Sequence, residues 1–301
     1  MEGYDIIGDI HGHAERLTSL LQKLGYSRNG DVYRHPRRKV LFLGDFVDRG
    51  PAIRETLSVV RAMVENGTAL AVMGNHEYNA VVYATAAPEG GFLRSHRPER
   101  VAQHKETLLA FEGAEEEWRS HLEWFRSLPL FLDLGDLRAV HAVWHEPHNE
   151  HLQAHAGNRL TEKLLFDSSD RSKPEHVVIE EVLKGREVML PDGVTFKDKG
   201  GHVRRKARTR WWLPSAGLKP SEYLFGIGEE HDDRILLPDA DGYPKDAPPV
   251  FFGHYWLTSE APRLQSHNAA CLDFSVAAGG FLCAYRWSGE HRLTEDRFVT
   301  A

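Results

Sequence analysis

Over the first eighty residues, short apolar runs that stop at a polar residue alternate with stretches of helical period. YDIIG at 4–8 ends in glycine, then Asp9, and reads as a buried strand. HAERLTSLLQKLG follows, with Leu17, Leu20, Leu21 and Leu24 on one helical face and Gly25 placed to close the helix. KVLFLG at 39–44 is a second buried strand, and Pro51 opens a helix expected to run to about Asn66. ALAVMG at 69–74 is a third, followed by another helical stretch. This strand, polar loop, helix rhythm predicts an α/β layered architecture.

Residues 98–127 are helical in character. LPLFLDLG (128–135) and LRAVHAV (137–143) predict a strand pair turning at Gly135-Asp136. From 146 to 248 the regularity weakens. HVVIEEVLKG reads as helix, and irregular strands are expected about turns at Pro191-Asp192-Gly193 and Gly200-Gly201. We therefore expect one domain over 1–301, with 146–248 as an insertion or cap. Strand character returns in PPVFFGHY, AACLDFS and FLCAYRW.

Composition narrows the class without changing this outline. A chain of 301 residues, 41% hydrophobic and 27% charged, suits a globular protein with a sizeable core. The net charge of −7 argues against a broad basic surface for duplex DNA, though not against nucleotides. Cys271 and Cys283 lie in apolar runs and read as buried, reduced thiols. No apolar run approaches the roughly 18 residues of a membrane span, and no basic leader precedes the first strand. A cytoplasmic protein without a membrane partner is expected.

The chemistry gathers at strand ends. GDIHG (8–12), GDFVDRG (44–50) and GNHE (74–77) each follow an early strand, and VHA (140–142) and FGHY (252–255) follow later ones. In layered α/β folds ligands collect outside the carboxyl ends of strands. Convergence of these five ends would bring together Asp9, His11, Asp45, Asn75, His141 and His254. Each motif alone is an ordinary turn or helix cap; in this order they form a set. Mixed oxygen and imidazole donors suit Mn²⁺, Fe or Zn²⁺ better than Ca²⁺. Six donors are too many for one catalytic ion that keeps an open position, and they fit two ions sharing a carboxylate.

With these motifs the chain resembles the phosphoprotein-phosphatase branch of the calcineurin-like metallophosphoesterases, which includes serine/threonine protein phosphatases and symmetrical diadenosine tetraphosphatases. The pattern GDxHG, GDxVDRG, GNHE and two separate histidines is matched completely. The resemblance covers 4–79, 128–143 and 249–287. It implies an α/β/β/α sandwich of two mixed sheets flanked by helices. It also implies two divalent ions, Mn²⁺ foremost, with Fe, Zn²⁺ or Ni²⁺ as alternatives. Asp9, His11 and Asp45 would hold the first ion, Asp45 would bridge, and Asn75, His141 and His254 would complete the second. Where the family usually continues the first late histidine with Ala-Gly or Gly-Gly, this chain has HAVWHEP.

A phosphorylated substrate then suggests further roles. Arg49 has the fork that suits phosphate, and Asn75 would also touch the substrate. His76 is the candidate proton donor to the leaving group, oriented by Asp48. HVRRKARTRWWLP offers a second phosphate clamp at Arg208 or Arg210, with Arg210 favoured for its place beside Trp211 and Trp212, whose indoles could stack on a base. The histidines of VHAVWHEPHNEHLQAH other than His141 read as loop histidines, with His145 the one that could line the site. The leading expectation is a phosphatase on phosphoprotein or small phosphomonoesters. The alternatives are a dinucleoside polyphosphate or nucleotide-cap hydrolase, and, disfavoured because every site residue is present, a silent metal-binding scaffold.

Overall fold

The strand Gly3–Ile7 runs through the middle of a six-stranded sheet, and its alternating side chains explain the layering. Ile6 faces a second sheet, where it meets Leu41, Leu137, Ala139 and Phe251, whereas Ile7 joins Leu17, Leu20, Leu21 and Leu57 under two helices. The computed structural model that shows this describes residues 3–198 and 201–301; Gly200, half of an expected turn, lies outside them. In the first sheet Gly3–Ile7 pairs parallel with Arg38–Phe42, which pairs parallel with Ala69–Ala71. Its other edge pairs antiparallel with Phe281–Trp287, which also carries Asp273–Phe274 and Phe298–Thr300.

The second sheet has the order Ala269–Cys271, Val250–Phe252, Arg138–Val140, Phe131–Asp133. Its outer side chains, Val140, Val250 and Phe252, lie in the same apolar layer as Leu152, Val178, Ile179 and Val182 of the helices that follow His145. Two sheets face to face with helices outside each give the expected α/β/β/α sandwich. Cys271 and Cys283 are buried and unpaired with each other. Among the described residues no helix is long and apolar enough to cross a membrane.

Local detail sharpens several expectations. The first helix is Ala14–Lys23, and Gly25, at φ +87°, closes it as the Tyr26 and Gly25 N–H groups donate to the Leu21 and Gln22 carbonyls. The second begins at Ile53 rather than at Pro51. The stretch 98–127 is two helices, Pro98–Ala110 and Glu115–Ser127, because Gly113 at φ +74° turns the chain between them. Within 146–248 the helices Glu146–Ala156, Glu162–Ser169 and Pro174–Lys184 pack into the main core, while Leu190, Val194, Ala207, Tyr223 and Leu224 form a smaller cluster of their own.

Candidate active site

Five strand ends bring the motif residues to one place. Asp9 and His11 follow Gly3–Ile7, Asp45 follows Arg38–Phe42, and Asn75 opens the helix Asn75–Ala84 just after Ala69–Ala71. His141 and His254 follow Arg138–Val140 and Val250–Phe252 of the other sheet. The backbone is bent sharply to present them: His11, Asp45, Asp48, Arg49 and His254 all have positive φ. Gly253 leaves room that a side chain would fill, since a Cβ there would lie 2.0 Å from Asp9 Oδ1.

Asp45 stands at the centre. Its Oδ2 is 3.5 Å from His11 Nε2 and its Oδ1 is 3.4 Å from His141 Nε2. Two donor groups share it: His11, Asp45 and His76 in one, Asp45, His141 and His254 in the other. Asn75 Oδ1 lies 3.1 Å from His141 Nε2. Asp9 belongs to neither group; its Oδ2 accepts the His254 N–H at 3.0 Å, and its buried Oδ1 has no partner.

The candidate ligand imidazoles are fixed by hydrogen bonds. His11 Nδ1 donates to the Val47 carbonyl at 3.0 Å and His141 Nδ1 to the Leu43 carbonyl at 2.7 Å. The His254 ring hydrogen-bonds the Lys184 carbonyl. For His11 and His254 the bond leaves the Nε2 lone pair free, and these buried Nε2 atoms have no partner, whereas His141 Nε2 faces oxygens of Asp45 and Asn75 and Asp45 raises its pKa despite burial. Burial, helped by His76, lowers the His11 pKa to about 3, and burial with Arg208 and His141 takes His254 well below its usual value. Both are therefore neutral near pH 7. Burial, then Asp273 and Asp45, raises the Asp9 carboxyl well above the usual range, whereas Asp45, despite burial, is held well below it by His141 and His76. Buried carboxylates beside unprotonated imidazoles with vacant lone pairs fit divalent cations.

The candidate proton donor is built separately. His76 Nδ1 is 2.5 Å from Asp48 Oδ2, and the facing Asp45 and Asp48 raise its pKa despite burial. Asp48 is itself fixed through Oδ1, which accepts from Thr107 at 2.5 Å and His104 at 2.6 Å. Arg49 lies exposed at the mouth, its Nη2 3.4 Å from His76 Nε2 and its guanidinium 3.8 Å from the centre of the Trp256 ring.

Sequence reasoning missed several contributors. His104 and Thr107 come from a helix with no motif. Asp273, buried beside Asp9, accepts the Trp256 and Ser275 N–H groups. Glu77, fully buried, gathers the N–H groups of Asp45 (2.8 Å), Phe46 (2.8 Å) and Gly74 (3.0 Å), so one carboxylate joins two ligand loops. Replacing Glu77 by alanine would strand these donors. We expect a loss of about 3–5 kcal/mol, read by urea unfolding; a loss under about 1 kcal/mol would mean the loops hold themselves.

The second clamp needs correction. Arg210 donates to the Glu222 and Leu224 carbonyls at 3.1 and 3.0 Å and stacks over Phe225, so its guanidinium is consumed by this neighbouring segment. Trp211 and Trp212 are buried against Phe252 and Tyr255 and offer no face to a base. Arg208 is the one near the site: it is a chief charge acting on His254, and its buried Nε has no partner. His145 pairs with His148 and Glu181, a carboxylate already engaged by Arg186. Trp144 packs on Phe131 and Arg138 and bonds Glu146.

The family described as calcineurin-like phosphoesterase matches residues 4–187. A bis(5'-nucleosyl)-tetraphosphatase PrpE (asymmetrical) of Anoxybacillus flavithermus is 46% identical over 148 residues, 46% of this chain and 56% of that protein. The protein of the same name from Bacillus subtilis is 36% identical over 146 residues, 46% and 57% of the two chains. The chain thus spans about half the length of these relatives. A serine/threonine phosphatase structure from Saccharomyces cerevisiae aligns with TM-score 0.55 at 15% identity, covering 99% of this chain and 78% of that one, a likeness of fold.

Proposed function

We propose, for a chain that belongs to the calcineurin-like phosphoesterase family, that it hydrolyses phosphoric esters and anhydrides with two divalent cations. The observation that carries this reading is the pair of donor groups sharing Asp45 beside the His76–Asp48 pair. His11, Asp45, Asn75, His141 and His254 would hold the ions, and Asp9, whose buried Oδ1 has no partner, would join the first. When bound, such ions supply an acidified water and positive charge for phosphoryl oxygens. Mn²⁺ remains our first choice.

The chain's own groups do the rest. Arg49 at the mouth, and Arg208 beside His254, would draw the phosphoryl group into place through charge-assisted hydrogen bonds. His76 Nε2 faces the cleft as the proton donor to the departing oxygen, while Asp48 holds its Nδ1–H and favours the imidazolium. His104 and Thr107 keep Asp48 from turning away.

For substrate, the relatives' names favour the dinucleoside polyphosphate alternative over the phosphoprotein reading, and we adopt it. The deciding experiment gives the Mn²⁺-loaded protein diadenosine tetraphosphate, a phosphothreonine peptide and p-nitrophenyl phosphate in parallel. AMP with ATP marks asymmetrical cleavage and ADP alone the symmetrical course. Phosphate from the peptide with the dinucleotide intact would return the protein to the phosphatases. Separately, Arg208→Ala is expected to lower kcat/KM about 10- to 100-fold. Arg210→Ala should leave kcat/KM within about twofold while lowering stability. The reverse ranking in the same assay would reinstate Arg210 as the clamp.

A further inference from the structure

One group of charges stands beside the proton donor without an assigned role. A small cleft runs from His76 and Asp48 past Asn79 and Gln103 to Arg94 and Arg100. Asn79 lies one helical turn beyond His76, and its Oδ1 accepts from Arg94 Nη1 at 2.9 Å. Arg94 Nη2 donates to Gln103 Oε1 at 3.1 Å, and Arg100 Nη1 to Ser95 Oγ at 3.0 Å. These partners are neutral. They aim the guanidiniums without cancelling their charge, and among the described residues neither arginine makes an ion pair. Lys184 close by is ion-paired with Glu180, an acid whose charge also reaches Arg94. The other acid near Arg94 is Asp48, already engaged by His76, His104 and Thr107.

Partly buried cations held by neutral side chains are costly unless something anionic visits them. Their position matters, because the proton donor marks the side from which the leaving group departs. An alcohol leaving from a phosphoserine carries no charge once protonated. A nucleoside polyphosphate leaves with several. In anhydride hydrolysis the water oxygen joins the attacked phosphorus and the bridging P–O bond breaks, its electron pair going to the departing polyphosphate. One water proton is released and the other stays on the new P–OH. The charge that develops is on the leaving phosphates, where two guanidinium forks serve better than one donated proton.

We infer that Arg94 and Arg100 form a leaving-group subsite for the polyphosphate chain of a nucleotide substrate. This rests on the hydrolytic reading above and deepens its choice of substrate. The test compares wild type with R94Q/R100Q on diadenosine tetraphosphate and p-nitrophenyl phosphate. The ratio of the two kcat/KM values, dinucleotide over monoester, is expected to fall at least tenfold, with R94K/R100K recovering part of it. An unchanged ratio in an active enzyme overturns the subsite; a wild type inactive on both compounds overturns the proposed activity instead. Should the double variant fail to fold, calorimetric titration of R100Q with inorganic tripolyphosphate gives a readout free of turnover. Affinity at least tenfold weaker than wild type supports the subsite, and equal affinity overturns it.

Discussion

His76→Ala is expected to lower turnover of phenyl phosphate, a probe ester whose leaving oxygen needs a proton, by about 10²- to 10⁴-fold, the range for losing a positioned general acid. Metal content, measured by plasma mass spectrometry on the purified variant, should stay at the wild-type level, because Asp45 retains His11, His141 and the backbone that presents them. The loss should be smaller on p-nitrophenyl phosphate, whose phenolate departs without a proton. This contrast separates proton donation from damage to the site. An equal fall on both substrates would mean that His76 acts by holding the first cation, a role its place in the His11–Asp45 group makes geometrically open. Asp48→Asn should reproduce the contrast in weaker form, since the amide can still accept from Thr107 but no longer favours the imidazolium.

The larger effect belongs to Asp45. Asp45→Asn keeps an oxygen for the His76 N–H, so the helix Asn75–Ala84 should stay in place. It removes the one negative group common to both donor sets. We expect bound metal to drop from two ions per chain to at most one. Turnover should fall by about three orders of magnitude, which corresponds to losing roughly 4 kcal/mol of transition-state stabilisation. Equilibrium dialysis against Mn²⁺ gives the stoichiometry. Retention of two ions would show that the sites are independent and that Asp45 serves only to order His76.

What could be read from the sequence follows the physics of each feature. The strand-end positions of the candidate ligands were legible because they are local: a short apolar run, a polar stop and a glycine recur in GDIHG, GDFVDRG and GNHE. The layered α/β outline followed from the same rhythm, while the sandwich was implied by the family resemblance; in the structure Ile6 and Ile7 do face different layers. What was illegible is what depends on tertiary closure. His104 and Thr107 reach Asp48 across 56 and 59 residues of chain, and nothing in HKET announces it. Asp273 looks like any acid in a strand. The choice between Arg208 and Arg210 failed for a related reason. Alternation puts both on one side of a strand, but Arg210 meets the Glu222 and Leu224 carbonyls of a segment whose path the sequence does not disclose. The neighbouring tryptophans, attractive as stacking platforms, belong to the core because Phe252 and Tyr255 need covering.

The donors of the site are divided between two sheets, and the division has a mechanical consequence. His141 of one sheet is tethered to the Leu43 carbonyl of the other, and Asp9 of the first receives the His254 N–H of the second. The candidate cation ligands therefore lie along a seam, with clasps on either side of it. Cations held there would act as rivets as well as reagents. Their binding free energy would add to the work of parting the sheets, and a small slip of one sheet over the other would be felt first as a change in the spacing of the donors around Asp45.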